Sequence, residues 1–206
     1  RMAIAARWMQ VAGELRVIVH VGANCVEDSK ALAAHAETIG AAGVAAFSPS
    51  FLKPKDVATL ADGLAMIAGA CPRTPFYYYD IPSLTGVTFP AAEVLAAVSQ
   101  RTPNLNGAKF TNIDLASYQQ CLHLSGGKYD MPFGVDEALP AAVALGAVGA
   151  VGMSYNFTAP LFNRVLAAAA KNDFETARQL QFRGVELLAH LSRTSLISGG
   201  KVIMEA

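Results

Sequence analysis

Leu105-Asn106-Gly107-Ala108-Lys109-Phe110-Thr111-Asn112 reads as a buried strand that carries a lysine near its C-terminal end, and Phe76-Tyr77-Tyr78-Tyr79-Asp80-Ile81-Pro82 reads as another such strand earlier in the chain. A short aromatic run, a longer alanine-rich segment and a second short run make the β-α unit of a parallel sheet. Lysine is rarely placed inside such a run without a reason. An ammonium taken out of water tends to shed its proton, and a neutral amine is a nucleophile. On neighbouring strands, the amine and a phenol would face each other.

The same alternation extends in both directions. Residues 16–21, 43–48, 75–80, 107–112, 131–136 and 149–155 are the strand candidates. Between them Leu32, His35, Ala36 and Ile39 recur at helical spacing, as do Leu115, Tyr118, Gln119 and Leu122, with Ser29 and Asp114 as capping candidates. Two helices follow the last strand. The second, from Asp173, carries Ala177, Leu180, Gly184, Leu187 and Leu191 on one stripe. Polar residues gather where the strands end, at Gly22-Ala23-Asn24, Ser48-Pro49-Ser50, Tyr79-Asp80, Thr111-Asn112, Asp136-Glu137 and Ser154-Tyr155-Asn156. Those ends share one face in parallel α/β folds, and ligands bind there. By strand parity Tyr77 and Tyr79 point to one face and Tyr78 to the other. His20, alone in an apolar strand, reads as a hydrogen-bonded core residue. Gly146, Gly149 and Gly152 lead into a strand rather than out of one, so they read as tight packing and not as a dinucleotide fingerprint.

Composition narrows the function. The chain has 206 residues, of which 53% are hydrophobic and 16% charged, enough apolar surface for a large core. Sixteen basic residues balance sixteen acidic ones. With no basic stretch interleaved with aromatics, neither nucleic acid nor an anionic membrane is an implied partner, and a small molecule is. No apolar stretch is long enough to span a membrane. Cys25, Cys71 and Cys121 lack the spacing of a disulfide framework or a zinc site and suit a reducing cytosol.

A closed barrel needs eight strands, and six are visible. The expectation is that the chain lacks about two β-α units at its front and helical material at its back. Residues 1–172 would then be a barrel portion holding strands three to eight, and residues 173–206 a helical extension.

Four segments, Tyr79-Asp80-Ile81-Pro82-Ser83-Leu84-Thr85-Gly86, Gly107-Ala108-Lys109-Phe110-Thr111, Phe133-Gly134-Val135-Asp136-Glu137 and Gly149-Ala150-Val151-Gly152-Met153-Ser154-Tyr155-Asn156, resemble in order and spacing the dihydrodipicolinate synthase / N-acetylneuraminate lyase family of class I pyruvate aldolases. The resemblance implies a (β/α)8 TIM barrel, incomplete here, that works without a metal or cofactor in a cytoplasmic homotetramer. It implies that Lys109 forms a Schiff base with a 2-keto acid and that Tyr79 relays protons. A phenol is a poor base in water, and a neighbouring cation favours its phenolate. The implied reaction is cleavage of N-acetylneuraminate to N-acetylmannosamine and pyruvate. Thr111, Gly134, Asp136, Glu137 and Met153 are the implied substrate-binding residues.

Within that family Leu84 stands where the synthases carry a carboxylate-binding arginine, which favours a sugar acid. Met153 replaces a serine of most lyases and cannot donate a hydrogen bond. Phe51 stands where relatives often place a tyrosine of the proton relay, and the family's Gly-Ser/Thr-Thr-Gly-Glu loop would precede Arg1. The competing readings are a strand-end Lys109 paired with Asp136 or Glu137, tyrosines that are only core, and an acidic pair that only caps a helix. For the whole protein they are a sister aldolase for another 2-keto-3-deoxy sugar acid, a non-catalytic sugar-acid binder and a phosphate-binding barrel.

Overall fold

The computed structural model describes residues 1–193 and 195–205. In chain order the first elements are α1 (Met2–Val11), β1 (Ile18–His20), α2 (Val26–Thr38), β2 (Gly43–Phe47), α3 (Val57–Gly69) and β3 (Phe76–Asp80). The short α4 (Pro82–Thr85), α5 (Ala91–Ser99), β4 (Leu105–Phe110) and α6 (Leu115–His123) follow. The four strands are parallel and lie in the order β1-β2-β3-β4, so each crossover is helical and each strand pairs with the next in sequence. These elements make the first of two compact units, Arg1–Asp130.

Local chemistry explains the helix starts. Asp56 accepts from the Thr59 amide at 2.7 Å to open α3, and Asp114 accepts from the Ser117 amide at 3.0 Å to open α6. Ser29 does not cap. Helix α2 already starts at Val26, and the Ser29 hydroxyl is turned back onto the Cys25 carbonyl inside its first turn.

The ladder is in register from Val44↔Phe76 to Phe47↔Tyr79 and, after a shift between Phe76 and Tyr77, from Tyr77↔Gly107 to Asp80↔Phe110. Asn104 fixes the entry to β4: its amide donates to the carbonyls of Ala68, Cys71 and Thr74, and its own carbonyl receives the Phe76 amide. Gly107 lets the next segment close in, since a Cβ there would lie 1.8 Å from the Asp130 carbonyl oxygen. Asn106 and Ala108 hydrogen-bond Asp130 on either side of it.

The second unit, Met131–Ala206, holds α7 (Leu139–Ala144), α8 (Tyr155–Ala170), α9 (Phe174–Ser192) and α10 (Leu196–Glu205). Leu139, Phe162, Val165, Ala169, Ala177 and Leu180 form its core. Asp173 caps α9 by accepting from the Thr176 amide at 3.0 Å. The two expected strands at 131–136 and 149–155 shrink to a single bridge, in which Phe133 accepts from Val151 and donates to Gly149. Pro132 has no amide hydrogen, and the glycines at 134, 149 and 152 weaken an extended ladder. Tight packing holds for Gly152 only. Gly149 has no atom near its missing Cβ, and Gly146 serves a turn at φ +110°.

Replacing Gly107 by alanine is expected to cost about 3 kcal/mol or more, because rigid backbone occupies the space of the new methyl. Urea denaturation of the variant against the parent measures it, with an unchanged midpoint as the contrary result.

Candidate active site

Register decides which side chains meet. Phe47 pairs with Tyr79 and Tyr79 with Lys109, so all three stand on one face of the sheet near the C-terminal ends of their strands. His20 pairs with Ala45, two residues before Phe47, and joins the same face from β1. The result is a row of four, His20, Phe47, Tyr79 and Lys109, one from each strand. The Lys109 ammonium nitrogen Nζ donates to the Tyr79 hydroxyl at 3.1 Å and lies 4.3 Å from the centre of the Tyr79 ring. Both residues are half-buried, which corrects the expectation of a fully buried lysine and leaves the amine open to a reactant.

The His20 ring stacks on Phe47 at 4.7 Å and meets Tyr79 edge-on at 5.6 Å. Burial first, then the charges of Arg1 and Lys109, push its pKa down to about 4. Its Nε2 is buried without a hydrogen-bond partner among the described residues, so the expected hydrogen-bonded core histidine is not what the structure shows at that atom. Lower on this face the Tyr77 hydroxyl donates to Asp130 Oδ2 at 2.9 Å and accepts from Asn106 at 2.6 Å. Burial raises the Tyr77 pKa to about 12, with Asp130 adding to it, so this phenol is committed to holding the strands.

Tyr78 and Asp80 face the other way, as strand parity requires. The Tyr78 hydroxyl donates to Asp80 Oδ1 at 3.3 Å, and both residues are buried. Burial raises the Asp80 pKa to about 6 against the hydrogen bonds of Tyr78 and Asn112, which lower it. The Asp80 carbonyl also takes the Thr111 amide at 2.8 Å, fixing the chain just past β4. The Thr111 hydroxyl oxygen is buried with no partner among the described residues.

Gly134, Asp136, Glu137 and Met153 belong to the second unit. Asp136 is buried, and its Oδ2 accepts from the Ser154 amide at 2.8 Å and the Ser154 hydroxyl at 2.6 Å. Thr158 donates to Ser154 Oγ, and Gln181 donates to the Asp136 carbonyl at 2.8 Å. Gly152 makes room for this carboxylate, since a Cβ there would lie 1.9 Å from Asp136 Oδ1. Glu137 is exposed, Gly134 half-buried and Met153 40% exposed. The acidic pair is therefore divided: one carboxylate has protein donors, and the other, exposed, has none among the described residues. The motif reading missed Ser154, Thr158 and Gln181 as the supports of Asp136. Ser154 at a strand end was the available signal, while Gln181 lies 45 residues away in sequence.

In the first unit, a lysine bonded to a tyrosine at the ends of parallel strands connected by helices defines a β/α protein with an amine-centred site. The chain belongs to the dihydrodipicolinate synthetase family, whose sequence model matches residues 2–206. Its fold class is α/β, of the (β/α)8 barrel type. It is 41% identical to N-acetylneuraminate lyase of Gallus gallus, over 92% of this chain and 62% of that protein. It is 38% identical to N-acetylneuraminate lyase of Rattus norvegicus, over 99% of this chain and 65% of the relative. The chain thus spans less than two thirds of these curated relatives. Among solved structures, N-acetylneuraminate lyase (sialic acid aldolase) from Aliivibrio salmonicida superposes with a TM-score of 0.96 at 40% identity, covering 99% of this chain and 68% of that one.

Asp80 generates a pH prediction. Its folded pKa, about 6, lies above the ordinary 3.8, so the folded state holds the proton more tightly than the unfolded one. Its ionisation then weakens folding progressively as pH rises from 3.8 through about 6, and the full cost is present at neutral pH. Asp80→Asn keeps an acceptor for Tyr78 without the charge. Relative to the parent it is expected to gain roughly 2–3 kcal/mol at pH 7 and nothing near pH 3.5. Chemical denaturation at both pH values checks this, and a difference that does not change with pH contradicts it.

Proposed function

We propose that the protein is a Schiff-base aldolase that cleaves N-acetylneuraminate to N-acetylmannosamine and pyruvate, with Lys109 as the nucleophile and Tyr79 as the proton relay. The observation that carries this reading is the Lys109 Nζ to Tyr79 hydroxyl contact of 3.1 Å at the ends of adjacent strands. Lys109 Nζ attacks C2 of the open-chain 2-keto acid, and loss of water leaves an iminium. The C4 hydroxyl gives up its proton, the C3–C4 bond breaks, and its electron pair flows into the iminium to leave an enamine. The aldehyde departs as N-acetylmannosamine. Protonation at C3 and hydrolysis of the imine release pyruvate and restore the amine. A phenol in contact with Nζ is placed to carry these protons, and the cationic iminium favours its ionised form.

The sugar contacts follow from the family likeness. Thr111, whose hydroxyl lacks a protein partner among the described residues, is assigned a sugar hydroxyl. Gly134, Asp136 and Glu137 are assigned the glycerol tail and Met153 a substrate contact through its backbone, with Glu137 as the principal tail acceptor because Ser154 already occupies one oxygen of Asp136. Leu84, an apolar side chain that is 76% exposed, offers no charge for a second carboxylate. The same reading makes the enzyme a cytosolic homotetramer. Three free cysteines suit a reducing compartment, and among the described residues no helix is long and apolar enough to cross a membrane.

Steady-state turnover tests the assignment. The full-length protein is expected to cleave N-acetylneuraminate in preference to 2-keto-3-deoxygluconate, and Tyr79→Phe to lower kcat by about 10²–10⁴ with KM changed far less. No cleavage of N-acetylneuraminate, or a Tyr79→Phe variant as fast as the parent, overturns it.

A further inference from the structure

The proposed chemistry uses two members of the four-residue row and leaves His20 without a part. Yet His20 is packed on three sides. One face of its ring lies on Phe47, with centroids 4.7 Å apart and planes 25° from parallel. Its contact with Tyr79 is edge to face, at 5.6 Å and 87°. On a third side a Cβ at Gly22 would stand 2.9 Å from Cε1 and 3.0 Å from Nε2, so the glycine backbone lies directly against the imidazole and leaves it little room to turn. Its own carbonyl is held by the Arg1 guanidinium at 2.7 Å.

Tyr79, in contrast, has among the described residues no hydrogen bond to hold its phenol other than the one from Lys109, which would be interrupted whenever the amine reacts. Lys109 Nζ stands 4.3 Å from the centre of the Tyr79 ring, and once that nitrogen joins a substrate the ring must keep its orientation by packing. His20 provides that packing from β1, its ring lying on Phe47 of the intervening β2 and meeting the Tyr79 ring of β3 edge-on. Because burial and the nearby Arg1 and Lys109 charges keep the imidazole neutral, it does so without adding a second cation beside the amine. A buried ring nitrogen without a partner among the described residues is a feature that folding alone disfavours, which is why a site role is the better account of it.

We propose that His20 is a positioning residue: wedged between Phe47 and Gly22, its imidazole fixes the plane of the Tyr79 ring so that the hydroxyl stays in reach of Lys109 Nζ. The effect on rate rests on the aldolase reading above, whereas the effect on the Tyr79 ring does not. His20→Ala removes the wedge, and His20→Phe replaces it by another flat ring. In the full-length protein labelled with ring carbon-13 tyrosine, Tyr79 is identified by the signal missing from Tyr79→Phe. The parent and His20→Phe are expected to show a slowly flipping, dispersed Tyr79 ring, and His20→Ala a rapidly averaging one. In turnover, His20→Ala is expected to lose about tenfold or more in kcat with KM within about twofold, and His20→Phe to recover most of the loss. A Tyr79 ring held equally in His20→Ala overturns the inference even if the parent cleaves no sugar acid. Equal mobility of the ring in both variants overturns it as well, since a flat ring would then not be what holds Tyr79.

Discussion

The pairing of Tyr79 with Lys109 across a parallel ladder is the constraint from which the site follows. In a strand successive side chains point to opposite faces, so a slip of one residue would carry the lysine away from the phenol and into the layer occupied by Tyr78 and Asp80. The structure guards this register at the base of the two strands. A shift at Phe76/Tyr77, the triple amide contact of Asn104 and the close approach of Gly107 to Asp130 all lie below this pair. Tyr77 adds a side-chain tie to Asn106 and Asp130 on the same face as Tyr79 and Lys109.

Two faces of one strand thereby serve opposite ends. Tyr79 is half-buried and reaches the amine, while its neighbours Tyr78 and Asp80 are buried together behind it. Asp80 is costly where it is: burial raises its pKa to about 6, so it is held charged at neutral pH against its environment. Its backbone carbonyl takes the Thr111 amide and so holds the chain just after Phe110, while its carboxylate takes the Tyr78 hydroxyl within the strand. In the second unit Asp136 is another buried carboxylate, but one supplied with the Ser154 amide and hydroxyl, so its cost is met locally.

Much of this was legible in the chain. Short β-branched or aromatic runs between alanine-rich segments gave four parallel strands, and a lysine near the end of one of them marked the candidate site. Parity alone separated Tyr77 and Tyr79 from Tyr78. What was not legible depended on long-range register. His20 looked like an isolated core histidine because nothing in Val19-His20-Val21 shows that the next strand will bring Phe47 over it and the third will bring Tyr79 to its edge. The last two strands were over-read because hydrophobicity suggested extended chain, while Pro132 and the glycines limit pairing to the bridge of Phe133 with Ala150. Asp136 and Glu137 looked equivalent as neighbours in sequence, and only the fold of the second unit gives one of them to Ser154.

The account as a whole stands on Lys109 acting as an amine nucleophile toward a keto acid. Borohydride reduction of the full-length protein in the presence of pyruvate, followed by peptide mass spectrometry, measures this directly. The account predicts a single reduced pyruvate adduct on Lys109, absent from Lys109→Ala. An unmodified Lys109, or an adduct that persists on another residue in that variant, would contradict it.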